Sequence, residues 1–108
     1  MQARATLKNI RISSKKMTPI ARVLRGMPLA KAIATCAYTP RKGAKILQKL
    51  LESARANAHE KQIDVDTLRV KQVEIGNGPT MFRVMTRQRG MAHRIKKRTS
   101  HLTVVVED

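Results

Sequence analysis

Seven cations, Arg83, Arg87, Arg89, Arg94, Lys96, Lys97 and Arg98, stand between Glu74 and Glu107 with no carboxylate among them. Crowded in this way, guanidinium and ammonium groups repel one another unless an anion lies between them. The chemistry they serve best is charge-assisted hydrogen bonding to phosphate. A second set of cations sits where helix physics disfavours it. Ser13 reads as an N-cap followed by Lys15 and Lys16, and Thr39-Pro40 as another helix start followed by Arg41, Lys42 and Lys45. Helix N-termini carry partial positive charge and prefer acids in the first turn, so each exposed cation there costs roughly a few tenths of a kcal/mol. A phosphate seated on the free amides reverses the sign, because dipole and side chains then pull together. An ordinary solvated basic face is the competing reading for any one residue, and it weakens when two helix starts show the same pattern.

Chemistry other than binding finds no residues to perform it. His59, His93 and His101 lack metal-ligand spacing, and His93 and His101 sit among cations with no carboxylate nearby. No Ser-His-Asp set, paired carboxylates or glycine-rich phosphate loop occurs, and Gly76-Asn77-Gly78-Pro79 reads as a turn. The sequence therefore offers no catalytic residue, no metal site and no cofactor. The single cysteine, Cys36, cannot form an internal disulfide, which fits a reducing compartment, and its helical spacing with Leu29 and Ile33 marks a core residue.

A formal net charge of +16 and a pI near 11.4 point to a nucleic-acid partner, with a membrane surface as the rival. Aromatic residues make up 2% of the chain, essentially Tyr38 and Phe82, which argues against base-stacking platforms and for phosphate and shape contacts. The N-terminus lacks a signal peptide's apolar stretch, and no apolar run approaches the ~18 residues of a membrane span. The expectation is a soluble, intracellular protein with no membrane partner.

Elements must position these cations, and the chain of 108 residues has room for one domain. Alternation marks strands over 5–12, 68–75 and 101–106. The second changes phase, from Leu68 and Val70 to Val73 and Ile75, which asks for a bulge near Lys71–Gln72. Met17, Ile20, Ala21 and Leu24 mark a first helix ended by Gly26; Pro19 should kink it or shift its start to Thr18-Pro19. A second helix covers about 28–37 from Pro28. The third, capped by Thr39 and begun by Pro40, carries the stripe Ala44, Leu47, Leu50, Leu51, Ala54, Ala58 and ends near His59–Lys61.

The order is β-α-α-α-β-β: an α+β fold with three helices packed on a small three-stranded antiparallel sheet. The connection between the last two strands is about 25 residues, far beyond an ordinary hairpin loop. As two extended arms of about 11 residues it would reach about 35 Å. A long extended β-hairpin over about 77–99 thus projects from a globular part at about 1–76 and 100–108. With little to pack against itself, it needs a polyanion to hold it; a floppy basic loop is the alternative.

At Ile12-Ser13 with Lys16, Arg25-Gly26, Tyr38-Thr39-Pro40-Arg41-Lys42, Ala54 with Ala56-Asn57-Ala58, Gly78-Pro79, Arg89-Gly90, and above all Arg94-Ile95-Lys96-Lys97-Arg98-Thr99-Ser100-His101-Leu102-Thr103-Val104-Val105-Val106, the chain resembles the bacterial-type large-subunit ribosomal protein uL22 family. The final run is highly specific, and the resemblance extends from about residue 3 to the end. It implies a domain at the surface of the large ribosomal subunit near the polypeptide exit, with a hairpin threading ribosomal RNA to the tunnel wall. It also implies a role in early subunit assembly, an influence on tunnel-binding macrolides, and neighbouring large-subunit proteins and the nascent polypeptide as partners. The ribosome would be cytoplasmic, with an organellar one as the alternative.

Carried over by position, contacts to large-subunit (23S-type) rRNA fall to Arg83, Arg87, Arg89, Arg94, Lys96, Lys97 and Arg98, with Lys15, Lys16, Arg25, Arg41, Lys42, Lys45, Ser100 and His101 beside them. Gly90, Met91 and Ala92 would form the tunnel-lining tip. Departures from the family's usual pattern fall at Pro19, Gly43, Phe82, Met85, Thr86 and Met91. Two other classes compete. A DNA-bending protein with a β-ribbon arm would want an apolar wedge, often proline, and a dimeric body, and no proline follows Pro79. A membrane-active cationic protein would want a helix with segregated basic and bulky apolar faces, and none is present.

Overall fold

The computed structural model describes all 108 residues. Strands β1 (Gln2–Ile10), β2 (Arg69–Asn77) and β5 (Ser100–Glu107) form an antiparallel sheet in the order β1-β5-β2. Helices α1 (Ser14–Leu24), α2 (Leu29–Tyr38) and α3 (Lys42–Glu60) supply the other layer, and β3 (Met81–Thr86) and β4 (Ala92–Lys97) make a separate two-stranded ladder. The α+β architecture and the long hairpin are those expected; the extension contributes two further strands of its own.

The central strand shows why the sheet has one wet face. Leu102, Val104 and Val106 are fully buried under the helices, while His101 and Thr103 look outward. From the helix layer Met17, Leu24, Leu29, Leu47 and Leu51 close the same core. On the open face the outward residues pair laterally, as in the Thr6–Thr103 hydroxyl contact at 3.3 Å and the Lys71–Glu107 ion pair at 3.8 Å. Both sheet edges are covered. Gly26 donates to the Val70 carbonyl, Leu29 to that of Leu68, and Val70 back to Met27, so the α1–α2 link protects β2. Along β1, Asn57 of α3 and Lys61 just past its end donate to the Arg4 and Gln2 carbonyls.

The expected bulge in β2 is present, between Val70 and Gln72. A second one interrupts β1 between Leu7 and Ile10, where Asn9 adopts φ 59 and its amide donates to His101 Nδ1 at 3.1 Å. It switches the buried parity from Ala3 and Ala5 to Ile10 and Ile12. The first strand therefore runs Gln2–Ile10 rather than 5–12.

Two helix boundaries depart from expectation. Pro19 lies inside α1 and does not move its start. It cannot donate to the Lys15 carbonyl, but Pro19 and Lys15 are both on the exposed side, while Met17 and Ile20 anchor the helix from within. Thr39 does not cap α3. Its amide and hydroxyl both donate to the Thr35 carbonyl, at 3.1 and 2.7 Å, which makes it the end of α2; α3 begins at Lys42 with Arg41 extended before it. No helix is long and apolar enough to cross a membrane.

The hairpin is jointed. The β2–β5 ladder closes at Asn77↔Ser100, and the β3–β4 ladder opens at Met81↔Lys97. Between them the Gly78 amide donates to the Thr99 carbonyl at 3.0 Å, and the Thr99 hydroxyl to the Pro79 carbonyl at 2.7 Å. A Cβ on Gly78 would collide with the Thr99 hydroxyl, so a side chain there would displace the hydroxyl that bonds Pro79. Beyond it the ladder carries no core. The chain's radius of gyration is 16.8 Å, against about 13 Å for a compact domain of this length. Its longest extent, 62 Å, reflects the arm.

Candidate nucleic-acid interface

Three segments distant in sequence converge beside the root of the arm. The link before α1 brings Arg11 and the first turn brings Lys15 and Lys16; the start of α3 brings Arg41 and Lys42; the end of the arm brings Lys96, Lys97 and Arg98. Together they line an open groove of about 910 Å³ with eight cations and no carboxylate. The whole chain contains two ion pairs, Met1–Asp108 and Lys71–Glu107, and neither touches this groove.

Backbone dipoles reinforce the side chains. Ser13 and Arg41 precede α1 and α3 without a side-chain cap, and neither helix has an acid in its first turn. Both helix starts line the groove, so their orphan amides and partial positive charge add to the field of the cations. A smaller cleft of about 280 Å³ adjoins it at the joint, lined by Ser13, Ser14, Lys15, Asn77, Gly78, Thr80, Arg98 and Thr99. There Ser14 donates to the Asn77 side chain at 2.7 Å, tying α1 to the base of the arm.

The residues singled out from sequence fall into groups. Lys15, Lys16, Arg41, Lys42, Lys96, Lys97 and Arg98 meet in the groove. Arg83, Arg87, Arg89 and Arg94 are exposed along the arm beyond it. Lys45 is exposed one turn into α3 and does not line the groove, and Arg25 lies apart, in a cleft with Arg22, Val73 and Ile75. Ser100 is placed inward: its side chain is wholly buried and its hydroxyl has no partner, because the inward parity of Leu102 and Val104 carries it into the core. His101 is half-buried and accepts at Nδ1 from the Asn9 amide, so that nitrogen holds the β1 bulge. Arg11 was missed. Its signal is the buried Ile12 beside it, which turns Arg11 outward at the mouth of α1.

The turn of the arm spans Arg87–Met91, closed by the Arg87 amide donating to the Met91 carbonyl at 2.7 Å. Arg89 and Gly90 both take left-handed conformations, at φ 58 and 71. Gly90 and Met91 thus lie in the turn, while Ala92 opens β4 opposite Thr86. Arg87 and Arg89 share the turn, so the arm's end is charged. On the ladder each cation or histidine faces an apolar residue: Met81 opposes Lys97, Phe82 Lys96, Ile95 Arg83, Val84 Arg94, and Met85 His93. This spacing keeps like charges from standing opposite one another, where they would destabilise the ladder.

An α+β domain with a cation-lined groove and a jointed basic arm defines a class: small basic proteins with a surface suited to a polyanion. The match to known families gives the particular member. The family model described as ribosomal protein L22p/L17e matches residues 5–107, and the chain belongs to that family. Curated relatives named large ribosomal subunit protein uL22 agree along the full length. The one from Akkermansia muciniphila is 48% identical over 100% of this chain and 97% of its own. Those from Desulfotalea psychrophila and Solidesulfovibrio magneticus are 50% and 49% identical, each over 100% of this chain and 99% of its own. The family is structural rather than enzymatic.

Proposed function

We propose that this chain is a constituent of the large subunit of a cytoplasmic ribosome, that it binds large-subunit rRNA through the groove and arm, and that it supports subunit assembly. The observation that carries the reading is the convergence of eight cations and two uncapped helix starts on one groove free of carboxylates. A polyanion stabilises such a surface, and phosphates are the ligand that both amides and cations favour. The arm continues the same positive surface outward, so one RNA-bound protein would grip at its root and reach with its tip. That tip, Arg87–Met91, would lie against the wall of the exit tunnel, in reach of a nascent chain or a macrolide. The near-neutral open face of the sheet, with Thr6, Thr103 and Glu74, is left for neighbouring large-subunit proteins.

The test separates grip from tip. Neutralising Arg94, Lys96, Lys97 and Arg98 together should lower occupancy of large subunits, measured by quantitative mass spectrometry of gradient fractions, because several phosphate contacts vanish at once. Arg89→Asn keeps the left-handed turn, since Asn tolerates that conformation, and removes one charge at the tip. It should leave occupancy nearly intact and change the macrolide footprint on purified ribosomes. If full-length protein is absent from large subunits, the reading fails. If both variants lose occupancy equally, the division into grip and tip fails.

A further inference from the structure

Phe82 is the only phenylalanine of the chain, and the fold leaves it outside the core. It stands on β3 as a residue 48% exposed, on the same face of the ladder as Val84, Arg94 and Lys96. The Arg94 guanidinium, two register positions along and on the facing strand, sits over the ring with its central carbon 4.5 Å from the ring centroid. A phenylalanine so placed adds nothing to the hydrophobic core, yet it is held in a defined orientation by a cation that is itself exposed.

We propose that the Phe82–Arg94 pair is a stacking site for one unpaired nucleobase, extruded from the RNA that the groove and arm bind. Ring and guanidinium are both planar and both stack on bases, and together they offer a short pile to which a base adds one more layer. Lys96, directly opposite Phe82, is placed for the phosphate of the same nucleotide, and Lys97 and Arg98 lead from there into the groove. A protein partner fits this surface poorly. Covering Phe82 with an apolar segment would also desolvate Arg94 and Lys96, which have no carboxylate to meet them. A base within a duplex cannot reach it either, so the ligand is a base in a bulge, loop or junction. The site is a departure from what composition suggests, since one aromatic suffices when an arginine extends it.

The inference rests on the rRNA reading above, and the experiment keeps the two apart. Full-length protein and its variants are titrated against a protein-free large-subunit rRNA transcript at several KCl concentrations. Phe82→Leu keeps an apolar side chain of similar volume on an arm that contributes nothing to the core, so the protein stays folded. It should weaken binding by about 5- to 150-fold, the range for losing one base–aromatic stack. The slope of affinity against salt should be unchanged, because every cation that meets a phosphate is still in place. Phe82→Trp should retain the parent affinity, and irradiation of the complex should crosslink residue 82 to a single nucleotide. Affinity of Phe82→Leu within twofold of the parent, or a flattened salt slope for it, overturns the stack: the first shows no base there, the second that Phe82 only steadies an Arg94–phosphate contact. Failure of the parent protein to bind the transcript overturns the rRNA reading and this inference with it.

Discussion

Arg41→Glu combined with Lys42→Glu sets the stability of the free protein against its binding, and the structure gives each effect a size. Arg41 is the uncapped residue before α3 and Lys42 is its first helical position, both exposed. Acids there meet the positive end of the helix and should each contribute about 0.3–1 kcal/mol of stability. The melting temperature of the free protein should therefore hold or rise. The same change removes two of the eight cations that line the groove. Each phosphate left without its cation should flatten the slope of log affinity against log salt by about 0.7–0.9, so two such phosphates remove about 1.4–1.8. Extrapolated from a common value at 1 M salt, this is about 25- to 60-fold weaker binding at 0.1 M. Filter binding to large-subunit rRNA across a KCl series gives both numbers. Lys31→Glu with Lys49→Glu is the control: both residues are exposed, neither lines the groove, and the fall of four in net charge is the same. Equal slopes and affinities for the two double variants would refute the groove, because net charge alone would then explain the weaker binding.

Leu50 is 4% exposed in the stripe of α3; Leu50→Ala should cost about 2–5 kcal/mol, read by chemical denaturation, and an unchanged midpoint would place it outside the core. Replacing residues 80–97 by Asn-Gly should leave the helical circular dichroism intact, since every side chain there but Ile95 is exposed; its collapse would make the arm part of the core. Ser100→Ala removes a buried hydroxyl without a partner and should raise the melting temperature or leave it unchanged. A clear drop would reveal a hydrogen bond to that oxygen. Burial pushes the Cys36 thiol up from its ordinary value and leaves 1% of the residue exposed. Alkylation of the folded protein should therefore be far slower than that of the urea-unfolded chain, and equal rates would mean that α2 does not pack as described.

Elements whose inward residues are bulky were legible, and those with small ones were not. The β2 bulge could be read because Leu68, Val70, Val73 and Ile75 are large apolar residues whose phase visibly slips. The β1 bulge does the same work with Ala3 and Ala5 before it, and alanine gives alternation no contrast. Thr39 carries an ambiguity of chemistry: a hydroxyl before Pro40 suits an N-cap, and the same hydroxyl suits the preceding helix end, where it in fact bonds. The interface was half legible. Cations at helix starts announce themselves by breaking a dipole rule, whereas Arg11 breaks none and joins the groove only through the tertiary fold. The burial of Ser100 was legible from sequence, since the parity of Leu102, Val104 and Val106 already turns it inward; its cationic neighbours in the chain drew attention outward.

Gly43 connects the core to the groove. It lies in the first turn of α3, where a glycine costs about 1 kcal/mol relative to alanine in a helix. A Cβ at that position would come within 2.6 Å of Met17 Sδ and 3.1 Å of Ile20 Cδ1, both side chains of α1. The missing Cβ therefore lets α1 and α3 close on each other at their N-terminal ends, with the fully buried Met17 filling the space between them. Those ends carry Lys15 and Lys16 on one helix and Arg41 and Lys42 on the other. Closing them brings like charges together, which opposes folding of the free protein and concentrates positive potential at the groove proposed to bind RNA. Helix propensity and charge spacing are thus both weakened at one point of the fold, and it is the point where two helix starts face the root of the arm. A sequence optimised for the isolated domain would keep the glycine that this packing requires and place acids at the helix starts; the cations found there instead suit a bound phosphate.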